Sequence, residues 1–198
     1  MTQTRDWAAP AGRAATARRI HIVGGGGSGK TTLARRLGTL LDAPVYDLDR
    51  IGYEGGAGAQ RRLDVKLADI YHIAAQPAWI TEGIFLWWTD ELFRSAGLII
   101  WLDLPFHLAA WRIVVRHVKA ELVGNNRHAG WRNLRWFLKN TWTYYRANVP
   151  TIPSAPDDDG AVTRLATAEV LQPYATKLVR CRHASEVSTF LVELGSRI

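Results

Sequence analysis

The sequence predicts an α/β fold in which a five-stranded parallel sheet carries helices on both faces. Two observations predict it. Short apolar runs alternate with longer segments of helical periodicity from residue 20 onward, and a glycine-rich turn joins the first run to the first helical segment. Residues 20–23 (IHIV) read as a buried strand and residues 30–41 as a helix. Residues 44–48 (PVYDL) read as a second strand, and residues 60–74 carry Leu63, Leu67, Ile70 and Ala74 at helical spacing. Residues 78–81 and 98–103 supply the third and fourth strands. A helix over 106–122 puts Leu108, Trp111, Val115, Val118 and Leu122 on one face. A second over 131–145 offers Trp131, Leu134, Leu138, Trp142 and Tyr145 as a packing stripe, with Arg132, Arg135, Lys139 and Arg146 as a basic stripe beside it. The chain closes with a strand at 177–181 and a helix at 186–194. The Pro- and Asp-rich stretch 149–160 reads as a loop.

At 198 residues this is one domain with room for a core. We expect residues 1–18 to be a flexible arm and 19–198 a single domain, with lid and acceptor-side helices at about 117–150. The 47% apolar and 22% charged composition excludes a disordered chain. No run approaches the length of a membrane span, the longest candidate being broken by Asp103. The single cysteine, Cys181, permits no disulfide within the chain, which points to a reducing, cytoplasmic setting. A net charge of +7 favours anionic partners without choosing among nucleotides, nucleic acid and phosphorylated metabolites.

Residues 24–31, GGGGSGKT, match G-x-x-x-x-G-K-[ST] between a strand and a helix. Glycines let successive backbone N–H groups turn toward one centre, and the positive end of the following helix faces the same point. This is a phosphate cradle, and the architecture becomes the three-layer sandwich of a P-loop NTPase. We expect Gly25, Gly26, Gly27, Ser28, Gly29, Lys30, Thr31 and Thr32 to bind the nucleotide. Lys30 reaches the terminal phosphates and Thr31 ligates Mg²⁺. ATP is the expected nucleotide, and nothing in the loop excludes GTP.

Two carboxylates, Asp47 and Asp49, follow the second strand, at the sheet end where ligands of parallel sheets sit. Alternation along an extended segment sends both the same way. Beside a triphosphate they suit a metal (Asp47) and an acceptor hydroxyl (Asp49). Glu82, at the end of the third strand, is a further acidic candidate for metal or substrate. The tryptophan-rich run after it puts Trp87 on the acceptor side, together with Trp88, Trp131, Trp136 and Trp142.

The residues Asp103-Leu104-Pro105, with Arg112 nine positions after the aspartate and Arg116 four further, resemble the adenylate-kinase-like P-loop kinases. The resemblance implies that Arg112 lies against adenine and Arg116 touches the phosphates. The Asp47-Leu48-Asp49 triplet resembles the shikimate-kinase branch, where the first acid serves magnesium and the second the acceptor hydroxyl. Over most of residues 20–195 the order of motifs is most similar to the topology modulation proteins, through "DLD", "WITEG" and "WLDLP". The family's proline-arginine after Gly83 is absent, which argues against a nucleoside monophosphate acceptor. A lid carrying Arg127 completes the expected machinery of a kinase that phosphorylates a small-molecule hydroxyl. The competing reading is a regulatory or nucleic-acid-binding P-loop protein, suggested by the basic, tryptophan-rich segment. The paired aspartates, which repel a polyanion, weigh against it.

Overall fold

The computed structural model describes residues 8–122, 130–147 and 152–197. Helix α1 (Ala8–Thr16) precedes strand β1 (Arg19–Gly24), helix α2 (Lys30–Leu41), strand β2 (Val45–Asp47) and the short helix α3 (Leu48–Gly52). Helix α4 (Leu63–Ala74), strand β3 (Trp79–Gly83), helix α5 (Asp90–Ser95) and strand β4 (Leu98–Leu102) follow. Helices α6 (Phe106–Leu122), α7 (Trp131–Arg146) and α8 (Arg164–Leu171), strand β5 (Leu178–Cys181) and helix α9 (Ala184–Gly195) complete the chain. The strands form one parallel sheet in the order β2-β3-β1-β4-β5.

Alternation along β1 explains the layers. Ile20 and Ile22 face one side, where Leu33, Leu37, Ile80, Ile100, Phe190 and Leu194 pack. Val23 faces the other, with Leu48, Ile70, Trp79, Phe93, Ile99 and Trp101. Strands β3 and β4 are buried along their whole length, as a sheet covered on both faces requires. His21 shares the second face; its Nδ1 lies 2.8 Å from Thr81 Oγ1, and burial pushes its pKa down to about 3, so it is a neutral part of the core.

Three expectations change. Residues 8–16, assigned to the arm, form α1, whose Ala11 and Ala14 are fully buried in the cluster containing Phe190 and Leu194 of α9; residues 1–7 lie outside the described residues. Small side chains let the two helices come close, which composition alone did not show. The second strand ends at Asp47, so Asp49 sits in the first turn of α3 rather than on extended backbone. The packing stripe of α7 is rotated. Leu134, Thr141 and Tyr144 are buried, and Trp131 and Trp142 face solvent.

Candidate active site

The glycine turn leads from β1 into α2 with Gly29, at φ 97°, as the residue before the helix. No side chain caps α2, so its first-turn N–H groups point into the cradle without an internal acceptor. Two of the glycines are needed for a reason the motif does not announce. A Cβ on Gly27, whose φ is +72°, would lie 2.4 Å from the Ala109 carbonyl oxygen of α6. A Cβ on Gly25 would lie 2.9 Å from the Tyr144 ring of α7. Two helices, α6 and α7, thus pack directly against the backbone of the loop. Arg112 braces it further, donating from Nη1 to the Ser28 carbonyl at 2.8 Å.

Lys30 folds back to donate to the Gly25 carbonyl at 3.1 Å. Burial pushes its pKa down, opposed by Glu82, Asp49 and Asp47; the nearby Arg116 adds to the depression. All four groups therefore share the electrostatic environment of one ammonium. Glu82 is paired in register with Asp47 across β3 and β2, so both carboxylates leave the sheet on one face. The Thr31 hydroxyl donates to Glu82 Oε1 at 2.7 Å. Glu82 is buried, and desolvation raises its pKa against the pull of Lys30 and the Thr31 bond. Asp47 accepts from the Asp49 amide at 3.0 Å and so caps α3. Asp49 keeps solvent-accessible surface, yet the surrounding protein desolvates it enough to push its pKa up to about 6, with Lys30 pulling the other way.

The side of the site around α3 and the tryptophan run is closed by a segment that reads as an ordinary loop in the sequence. Asp159 accepts from Tyr53 Oη at 2.8 Å and from Trp88 Nε1 at 2.9 Å. Trp87 Nε1 donates to the Asp158 carbonyl at 3.0 Å. The fully buried Lys66 of α4 reaches Asp157 Oδ2 at 2.7 Å and lies 5.0 Å from the Trp88 ring centre. Residues 157–159 therefore strap α3, α4 and the tryptophan run together. Burial raises the pKa of Asp159 against its two donors, and its charge adds to the rise at Asp49. The only sequence signals were three consecutive aspartates and, 71 positions away, two adjacent tryptophans whose indole N–H groups would need acceptors.

The structure thus brings Lys30, Thr31, Asp47, Asp49 and Glu82 together at the carboxyl end of the sheet, with Arg112 and Arg116 on the loop's flank. Thr32 lies exposed in the first turn of α2. Trp87 is half-buried with its indole engaged by the strap, and Trp88 belongs to the core. Arg127 lies outside the described residues. The aspartate of the Asp-x-Pro motif is buried; it accepts from Arg164 at 2.6 and 2.9 Å and from Arg180 at 3.0 and 2.6 Å, joining β4, α8 and β5. Among the described residues no three His, Cys, Asp or Glu side chains gather as a metal cage. A hydroxyl beside one or two carboxylates is instead the sparse, all-oxygen set that suits Mg²⁺ held jointly with phosphate.

The structure aligns with shikimate kinase from Acinetobacter baumannii in complex with shikimate over 95% of this chain and 97% of that one, at a TM-score of 0.51 and 15% identity. The fold is that of the P-loop kinases. A gluconokinase from Sinorhizobium meliloti 1021 aligns over 90% of this chain and 94% of its own, with a TM-score of 0.48 and 14% identity. Shikimate kinase from Bacteroides thetaiotaomicron aligns over 91% and 98%, with a TM-score of 0.44 and 14% identity. No family model matches the sequence. No curated protein matches it. Among the described residues no helix is long and apolar enough to cross a membrane.

Proposed function

We propose that this protein is an ATP- and Mg²⁺-dependent phosphotransferase that moves the γ-phosphoryl group to a hydroxyl of a small molecule, with nucleosides, glycosides and antibiotics as the acceptor classes to examine. The observation that carries it is the gathering of Asp47, Asp49 and Glu82 around Lys30 and Thr31 at the mouth of a phosphate loop. Binding phosphate alone needs cations and amides. Acids placed there serve a metal and a proton.

The residues divide the work. Amides of 25–31 and the Lys30 ammonium hold the phosphates, and Arg116, with a lid Arg127, neutralises charge developing on the transferred group. Arg112, fixed on the Ser28 carbonyl, holds the loop on the adenine side. Thr31, Glu82 and Asp47 would hold Mg²⁺, which would supply charge neutralisation to the bound phosphates. Asp49 accepts the acceptor's hydroxyl proton as the acceptor oxygen forms its bond to phosphorus and the bond to the β–γ bridging oxygen breaks, releasing ADP. A carboxylate titrating near 6 is ionised at neutral pH and a stronger base than an ordinary aspartate. The narrower kinship with topology modulation proteins rests on the motif order in the sequence.

The test is ADP release from Mg-ATP across a panel of nucleosides, sugars, aminoglycosides and hydroxy acids, beside Lys30→Ala as the blank. We expect release with at least one acceptor class and none in the variant. No release above that blank, together with no ATP binding by calorimetry, would overturn the reading.

A further inference from the structure

The outer face of α7 belongs to none of the machinery above. Its inner face is spent on the protein: Tyr144 packs on Gly25, Thr141 lies over Gly26, and Leu134 is buried. The outer face carries Trp131, Trp136 and Trp142 at 75%, 58% and 45% exposure. Arg132, Arg135, Lys139 and Arg146 are also exposed, and the helix contains no acidic residue. Among the described residues Arg132, Arg135 and Lys139 pair with no carboxylate, and Arg146 sits 6.0 Å from the Trp142 ring centre.

Three exposed tryptophans on one helix withhold a large apolar area from burial, which marks an interaction site. Their arrangement selects the occupant. At 3.6 residues per turn, Trp131 and Trp142 border one side of the arc and Trp136 the other, with the four cations between them over about 60°. A face that inserts into a bilayer has the opposite order, an apolar centre with cations at its edges. A central row of cations about 21 Å long, flanked by flat rings, instead suits a phosphate backbone running along the helix with bases turned outward onto indoles. Indoles stack only on bases released from a duplex, so the strand is single. We propose that the outer face of α7 binds single-stranded nucleic acid, independently of the nucleotide site behind it.

The experiment is fluorescence anisotropy of a labelled oligothymidylate with the full chain. Neutralising four phosphates predicts a fall in affinity of about 50-fold between about 50 and 200 mM salt. Trp136→Ala, at an exposed position, should weaken binding about 5- to 150-fold while leaving the circular dichroism unchanged. The double variant Arg135→Gln, Lys139→Gln should flatten the logarithmic salt slope by about 1.4. Saturating Mg-ATP at constant ionic strength should not displace the strand. Absence of binding at low salt, displacement by Mg-ATP, an unchanged slope in the double variant, or binding to phosphatidylglycerol vesicles but not to the oligonucleotide would each overturn the proposal. Since the proposed phosphoryl transfer uses none of α7's outer residues, silent ADP release together with no ATP binding, alongside intact oligonucleotide binding, would reject the kinase reading and leave this one standing.

Discussion

The two sides of the candidate site are held in different ways. The nucleotide side is built on a continuous stretch: β1, the loop and α2 are consecutive, and distant residues, Arg112 on the Ser28 carbonyl and Glu82 on Thr31, add to a frame the motif already sets. The side proposed for the acceptor is assembled from afar. Tyr53 reaches Asp159 across 106 positions, Lys66 reaches Asp157 across 91, and Trp88 reaches Asp159 across 71. A site whose frame is one continuous motif is set first by that motif, whereas a site built wholly from distant pieces depends on the whole fold being in place. Under the proposed function, that side is where substrate choice can change without disturbing the phosphate cradle.

The sharpest way to separate the sides is to remove one group from each. Lys30→Ala deletes the ammonium at the phosphates and should lower transfer at least about 10³-fold, with the thermal midpoint little changed, read by ADP release and calorimetry. Asp49→Asn should cut transfer by about 10²–10⁴ while ATP affinity holds. If it cuts ATP affinity as strongly as turnover, Asp49 belongs to the nucleotide side. The wild-type rate should also fall as pH drops through about 6, because Asp49 must be ionised to take a proton. The same group has the opposite effect on stability. Its pKa is raised by folding, so it opposes folding above about 6 and ceases to do so below about 4. Asp49→Asn should therefore raise the unfolding midpoint at pH 7, and that gain should vanish near pH 4 in a melting series.

On the acceptor side the effects are smaller and fall on stability and acceptor affinity. Lys66→Met removes a buried cation and leaves Asp157 without it, costing about 3 kcal/mol in denaturant unfolding and raising the acceptor KM. An ATP dissociation constant that moves as much as the acceptor KM would show that the strap serves both sides. Tyr53→Phe, which deletes one bond to Asp159, should cost about 1–2 kcal/mol and leave ATP binding intact.

The sequence by itself determined the phosphate loop, the parallel α/β sandwich and the identity of Lys30, Thr31, Asp47, Asp49 and Glu82 as the charged and hydroxyl groups at its mouth. These follow from spacing, because strand and helix periods place side chains predictably over a few residues. Only the tertiary structure decided that Glu82 bonds Thr31, that Asp49 sits on a helical turn, that α1 packs in with α9, and that the tryptophans of α7 lie outward. It alone joined Asp157 and Asp159 to α3 and α4. Pairings between residues about a hundred positions apart leave no periodic trace in the chain; they are set by how helices stack on the sheet, a property of the packed core rather than of any one segment.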